Sequence, residues 1–158
     1  MTDPALGPRV FVPPPFVFVG GWLVAWFCQR QVGFLVDAAG PTKLQVEIGA
    51  GFLAAGLGLA GWAMITFLRA RTPIVPIRPA RMLVTRGPFA FSRNPMYVGL
   101  TLAYLGLAGV SNQAWPIVWL PVVLVVLSTT VIAREEAHLR VLFGTTYEIY
   151  SSQVRRWV

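Results

Sequence analysis

The sequence predicts an all-α integral membrane protein: a single membrane domain over residues 1–158, with four transmembrane helices. Three observations support this class. Hydrophobic residues make up 56% of the chain, and the mean hydropathy is +0.64. Charged residues make up 12%, which is about half their share in a soluble domain. The charges are also segregated, because ten of the thirteen basic residues fall in 69–95 or 134–158. This composition excludes an ordinary soluble protein and a disordered one.

Apolar runs between charged residues define the four helices. The uncharged run 94–133 is 40 residues long, and a single helix of that length would measure about 60 Å, twice the ~30 Å hydrocarbon core. The run must therefore fold back, and the polar residues at 111–113 mark the turn. The predicted transmembrane helices are 14–30, 48–68, 95–110 and 115–133.

Two of these helices carry internal features. Pro121 lies inside the fourth helix and is expected to kink it. The second helix is rich in small residues, and the pairs Ala54/Gly58 and Gly56/Ala60 have the four-residue spacing that permits close helix packing. The glycines of 56–61 also match the dinucleotide-binding pattern, but inside a membrane span they lack the strand that such a site requires.

Positive charge sets the orientation of the chain. The segment 69–95 holds six arginines and no acid, and the tail 134–158 holds four more arginines. The positive-inside rule places both segments, and with four spans both termini, in the cytoplasm. We expect a prokaryotic cytoplasmic membrane. The tail is predicted to continue the fourth helix to 143, to be capped by Gly144, and to form a short helix or turn through Tyr150.

Several kinds of chemistry are excluded by the residue inventory. The chain has one cysteine, Cys28, and one histidine, His138, so an intrachain disulfide is impossible. We expect no metal site, since zinc sites use three or four Cys, His or carboxylate ligands. No nucleophile pattern surrounds His138. We also expect no nucleic-acid partner.

Two adjacent glutamates stand out in the tail. At about 100° per residue, Glu135 lies in the middle of an apolar helix stripe and Glu136 lies at its edge. A carboxylate on an apolar face is costly unless a cation meets it. For Glu135 the sequence leaves open an ion pair with a loop arginine or a ligand cation. For Glu136 it leaves open a surface pair with Arg140, four residues on, or a ligand contact.

The end of the long loop combines arginines, glycines and aromatic residues, and Pro95 suits the first turn of the third helix. Free amides at that helix start favour an anion, although membrane anchoring alone would also explain the arginines and aromatics. The key residues read Arg93-Asn94-Pro95-Met96-Tyr97-Val98-Gly99, then Glu135-Glu136, then Phe143-Gly144-Thr145-Thr146-Tyr147.

This pattern resembles the isoprenylcysteine carboxyl methyltransferases and the related phospholipid methyltransferases, over about residues 48–158. The resemblance implies S-adenosylmethionine as cofactor, bound between the loop, the tail and the last spans. It also implies a lipophilic small-molecule acceptor, such as a membrane lipid, that enters from the bilayer. Asn94 stands where the family usually has histidine, and an amide can hydrogen-bond a ligand but cannot act as a base.

Roles follow from matching the cofactor's charges to these residues. Glu135 or Glu136 would neutralise the ammonium, Arg93 or the amides near Pro95 would take the carboxylate, and tyrosines would flank the adenine or face the sulfonium. Arg155 or Arg156 would guide an acceptor carboxylate. The predicted cofactor-binding residues are Arg93, Asn94, Pro95, Tyr97, Gly99, Glu135, Glu136, Tyr147 and Tyr150, and the predicted catalytic residues are Tyr97, Arg155 and Arg156.

The sequence therefore favours methyl transfer to a lipophilic carboxylate, because a carboxylate needs no base. Methylation of an amino-lipid nitrogen is the nearest alternative, and it requires removal of a proton. Two other classes are an NADPH-dependent membrane reductase of the sterol-reductase type and a non-enzymatic membrane scaffold. Binding of S-adenosylhomocysteine or of NADPH discriminates between them.

Overall fold

The computed structural model describes residues 12–32, 40–71 and 82–158, and all the regular structure in these ranges is helical. The α-helices are α1 (Pro14–Gln31), α2 (Lys43–Arg69), α3 (Pro95–Val110), α4 (Trp115–Leu127), α5 (Ala133–Phe143) and α6 (Thr145–Gln153). A 3-10 turn, Gly87–Ala90, precedes α3, and a π-helical turn, Ser128–Ile132, joins α4 to α5. The all-α prediction is confirmed for these ranges, while residues 72–81 of the predicted site loop lie outside them.

The predicted helix positions agree with the structure except at two ends. α2 begins at Lys43 rather than at 48, because the Thr42 side chain accepts a hydrogen bond from the Gln45 amide and caps the helix. α4 is regular only to Leu127. The hydroxyls of Thr129 and Thr130 bond back to carbonyls one turn earlier, which accompanies the change to π-helical winding there. The kink expected at Pro121, which lies inside α4, stays a prediction.

Two helices within the described residues are long and apolar enough to cross a membrane. They are α2, with 27 residues, and the continuous helix Trp115–Phe143, with 29 residues. α3 is apolar but has 16 residues. Large apolar side chains also point away from the protein; Phe16 is 64% exposed, Leu57 57% and Val125 61%. Such an outward apolar surface is characteristic of a protein surrounded by lipid.

The pair α2 and α3 packs through glycines that face each other. An added Cβ at Gly56 would lie 2.5 Å from the Gly99 carbonyl oxygen, and one at Gly106 would lie 2.6 Å from the Gly49 oxygen. Only glycine permits this approach of two helix backbones. The predicted close packing is confirmed on the Gly56 face of α2, whereas Gly58 has no neighbour within 4 Å of an added Cβ and faces outward.

The second half of the chain returns to the start of α3. α5 ends at Phe143, and Gly144 caps it with φ +50°, as predicted. The chain then reverses into α6, whose Tyr147 and Tyr150 are buried. The end of the chain, 154–158, follows α6 back to the turn before α3. This reversal brings the predicted tail to the described end of the loop, at Arg93 and Asn94.

Candidate active site

A clamp between the C-terminal segment and the turn before α3 frames the site. The Arg93 amide donates to the Arg155 carbonyl oxygen at 2.9 Å. The Asn94 side-chain amide donates to the Arg156 carbonyl oxygen at 2.9 Å, and the Ser92 hydroxyl is 3.4 Å from the same oxygen. Asn94 is 9% exposed, so this bond is protected from water. Asn94 therefore ties the tail to the start of α3.

Glu136 lies at the centre of this clamp. It is 4% exposed and accepts hydrogen bonds from Arg156 Nε at 3.0 Å and Arg156 Nη2 at 2.6 Å. Arg93 Nη1 lies 3.1 Å from Glu136 Oε1, the oxygen that also accepts from Arg156 Nε. The hydrogen bond to Glu136 raises the pKa of the Arg156 guanidinium above its usual value. Two cations thus compensate one buried carboxylate.

The surface pair between Glu136 and Arg140 does not form. The guanidinium of Arg140 lies 5.8 Å above the ring of Tyr147 instead, while Glu136 points inward. Of the two alternatives left open for Glu136, the surface pair with Arg140 is therefore wrong, because a helical wheel carries no information about the returning tail.

Glu135 has a different environment. The Tyr97 hydroxyl donates to its carboxylate, with distances of 2.9 Å to Oε1 and 3.1 Å to Oε2. Tyr97 is 7% exposed and belongs to the core cluster. Within the described part of the chain, the ion pairs of the site go to Glu136 and not to Glu135. Among the loop arginines that the structure describes, Arg93 therefore pairs with Glu136 and not with Glu135, and the ligand-cation interpretation stays open.

Tyr147 and Tyr150 close the site from the α6 side. Their ring centroids are 6.2 Å apart, and the Tyr150 hydroxyl donates to the Phe89 carbonyl oxygen at 2.8 Å. Burial raises the pKa of the Tyr150 hydroxyl to about 12. Burial, and after it the Glu136 carboxylate, also raises the pKa of Tyr147, and Arg93 opposes this. Both hydroxyls therefore stay protonated at neutral pH.

The structure brings most of the predicted site residues to one place at the start of α3. These residues are Arg93, Asn94, Pro95, Tyr97, Glu135, Glu136, Tyr147, Tyr150 and Arg156. Arg155 contributes its backbone oxygen, and its side chain is exposed. Gly99 lies elsewhere, with an added Cβ 2.6 Å from the Gly56 oxygen of α2. The structure gives Gly99 a packing position between helices rather than a place at the site.

The family model described as phospholipid methyltransferase matches residues 44–146, which is more than half of the chain. The chain belongs to the phospholipid methyltransferase family. Comparison with individually curated proteins gave no match. Membership confirms the resemblance drawn from the motifs, and it makes the chain a membrane methyltransferase.

The phospholipid methyltransferase match covers α2, α3, α4 and the glutamate pair. It stops before Tyr147 and before the arginines of the tail. The clamp therefore joins Asn94 and Glu136, which lie inside the matched range, to Arg156, which lies outside it.

Sequence reasoning missed the roles of Ser92 and of the Arg156 backbone in this methyltransferase site. Ser92 is 5% exposed, and its hydroxyl accepts a hydrogen bond from the Asn94 amide at 3.0 Å. A serine two residues before Asn94 fits a local side-chain turn, and this was the only signal available. The backbone oxygens of the tail carried no signal in the sequence.

Proposed function

We propose that this protein transfers a methyl group from S-adenosylmethionine to the amine of a lipophilic acceptor, most simply an amino-phospholipid, at the cytoplasmic membrane interface. The observation that carries the proposal is the Glu135–Tyr97 pair. A half-buried carboxylate accepts from a tyrosine, while the nearby arginines compensate its neighbour Glu136. A carboxylate in this setting favours a positively charged ligand group.

The proposed topology has four transmembrane helices with both termini inside. α1 and α3 would cross the membrane alongside α2 and α4, because α1 packs closely on α4 at Gly21 and α3 packs closely on α2 at Gly99. The arginines of 69–95 and of the tail support a cytoplasmic site. The site would then lie where the apolar helices end and the charged tail begins.

The residues present fit the cofactor's two charged ends. Glu135 would hold the ammonium group. The first turn of α3, beginning at Pro95, would offer amides to the carboxylate. Arg93 Nε is buried without a hydrogen-bond partner, so a donor is also available there. The cofactor supplies the methyl group on its sulfonium. The chain's own contribution is to orient the acceptor and exclude water.

The choice of amine over carboxylate rests on the available charges. A carboxylate acceptor, which the sequence favoured, requires a cation at the interface. The guanidinium of Arg156 is bound to Glu136, which leaves Arg155 with its exposed side chain. An ammonium acceptor must lose a proton before its nitrogen can attack. One oxygen of the Glu135 carboxylate would hold the cofactor's ammonium group, and the other would accept this proton. Asn94 is not needed as a base in this scheme. Carboxylate methylation guided by Arg155 is the second candidate.

Cofactor binding is the first test. The purified protein in detergent is expected to be stabilised against heat by S-adenosylhomocysteine and not by NADPH. Glu135→Gln is expected to lose this stabilisation. The matched control Glu148→Gln, an exposed glutamate on α6, is expected to keep it. Stabilisation by NADPH alone would indicate a reductase, and stabilisation by neither ligand would indicate a scaffold.

The acceptor is the second test. Methyl-labelled S-adenosylmethionine is supplied with mixed vesicles that contain phosphatidylethanolamine and a prenylcysteine. Base-stable label in the lipid headgroup supports N-methylation. Base-labile label, released as methanol and lost in Arg155→Gln, would support the carboxylate alternative.

A further inference from the structure

An apolar groove runs along α1 and α4, outside the cluster of site residues. Its volume is about 460 Å³. Phe16, Gly20 and Val24 form one wall, and Trp119, Val122 and Val126 form the other. Phe16 and Val122 are 64% and 48% exposed, so the groove is open along its side. Its polar lining residues Thr130 and Arg134 lie at one end, next to the glutamate pair.

Two adjacent glycines create the groove. At Gly21 an added Cβ would collide with the Val123 side chain, so α1 approaches α4 closely there and makes a floor. At Gly20 an added Cβ would meet nothing within 4 Å. The neighbours one turn away from Gly20 are Phe16 and Val24. The missing side chain at Gly20 therefore leaves a notch between two large residues.

The length of the groove corresponds to one lipid chain. From Phe16 to Val24 the helical part of the lining extends about 12 Å at 1.5 Å per residue, and Val12 continues it before α1 begins. Half of the hydrocarbon core is about 15 Å. The groove begins at the predicted cytoplasmic interface, near Arg134, and so corresponds to about the depth of one leaflet. A single acyl chain anchored at that interface would fill it.

We infer that this groove holds one acyl chain of the phospholipid acceptor and that Arg134 binds its phosphate. The inference rests on the proposed function, which it deepens. Arg134 at the end of the groove precedes Glu135 directly in the chain. Neighbouring positive and negative side chains complement a headgroup that carries a phosphate and an ammonium. Val131 lines the groove and belongs to the same core cluster as Tyr97, the hydrogen-bond partner of Glu135, and a headgroup seated at the Arg134 end would lie on this side of the protein.

Photolabelling tests the groove without any enzyme turnover. The full chain is placed in lipid nanodiscs with a phosphatidylethanolamine that carries a diazirine in the middle of one acyl chain. After irradiation, we expect labelled peptides from α1 and α4. Gly20→Phe fills the notch and is expected to abolish this labelling. The control Gly58→Phe, whose Cβ also meets nothing within 4 Å, is expected to leave it intact. If Gly20→Phe fails to fold, Val126→Phe on the opposite wall replaces it, since Val126 is 40% exposed.

The headgroup contact is tested with the same probe. Arg134→Gln is expected to weaken labelling by the phospholipid and to leave labelling by a diacylglycerol with the same chains unchanged. The inference would be overturned if the outward face of α2 were labelled as strongly as α1 and α4 and if Gly20→Phe did not reduce the labelling of α1 and α4. That result would indicate ordinary surrounding lipid. Stabilisation by S-adenosylhomocysteine is measured on every variant. Its absence in the wild type would defeat the proposed function, whereas its presence with unspecific labelling would defeat only the groove.

Discussion

Glu136→Gln is expected to destabilise the protein by about 3 kcal/mol. The side chains of Glu136 and Arg93 are 5% and 15% exposed, with 3.1 Å between Oε1 and Nη1. Removing one partner of a buried ion pair costs about 3–5 kcal/mol, because the remaining charge is left uncompensated. The amide oxygen of glutamine still accepts one hydrogen bond, which places the expected cost at the lower end. The conjugate change Arg156→Gln is expected to cost less, about 1–2 kcal/mol, since the Arg156 side chain is 40% exposed.

The free energy of unfolding is measured by SDS titration in mixed micelles, followed by far-UV circular dichroism. Glu148→Gln, an exposed glutamate on α6, serves as the control and is expected to change stability by less than about 0.5 kcal/mol. The double variant of Glu136 and Arg156 is expected to cost less than the sum of its parts, because both changes remove the same contact. Two results would refute a buried clamp centred on Glu136. One is a Glu136→Gln variant whose free energy of unfolding differs from that of wild type by less than about 0.5 kcal/mol. The other is a loss of stability that is larger in Arg156→Gln than in Glu136→Gln.

Three further predictions concern the elements around this clamp. Asn94→Asp replaces the donor to the Arg156 carbonyl oxygen with an acceptor, and we expect faster proteolysis of the tail in this variant. Asn94→His keeps an N–H donor and is expected to retain or raise methyl transfer. Gly99→Ala is expected to cost about 1–3 kcal/mol of unfolding free energy, because its Cβ would lie 2.6 Å from a backbone oxygen of α2, whereas Gly58→Ala is expected to be neutral or stabilising. Tyr150→Phe is expected to cost about 1 kcal/mol at pH 8. Because the pKa of Tyr150 rises from 10.0 to about 12 on folding, its contribution is present below pH 10 and disappears between pH 10 and 12; a difference from wild type that grows with pH would contradict this.

The helices could be predicted from the sequence because apolar runs and their charged ends are local signals. The start of α3 at Pro95 and the cap at Gly144 were each marked by a residue with a defined backbone preference. The start of α2 was placed at 48 instead of Lys43, because Thr42 and Lys43 lie in a polar stretch where composition does not show where a helix begins. The π-helical turn at Ser128–Ile132 begins with three successive hydroxyl residues, and hydrophobic periodicity gives no sign of it.

The partners of the two glutamates could not be predicted. The helix wheel placed Glu135 and Glu136 correctly on one helix, at different angles to its apolar stripe. It carried no information about Arg156, which is 20 residues away in the chain and reaches Glu136 only because the chain reverses at Gly144. Of the alternatives left open, a loop arginine was considered for Glu135 and Arg140 for Glu136, whereas in the structure Arg93 and Arg156 both bind Glu136. Contacts of this kind depend on tertiary structure.

Asn94 stands where the resemblance leads us to expect a histidine, and an amide cannot act as a base. In this structure the Asn94 side chain binds the backbone of the tail, and a residue engaged in this way is a positioning residue. Under the proposed amine methylation, proton removal would then fall to Glu135, whose carboxylate accepts a hydrogen bond from the Tyr97 hydroxyl. The two positions are linked, since Asn94 precedes the first turn of α3 and Tyr97 lies within that turn. A tail released by Asn94→Asp would move the start of α3, and with it the tyrosine that orients Glu135. Loss of activity in that variant accompanied by loss of S-adenosylhomocysteine binding would thus report geometry, whereas loss of activity with binding retained would assign chemistry to Asn94 itself.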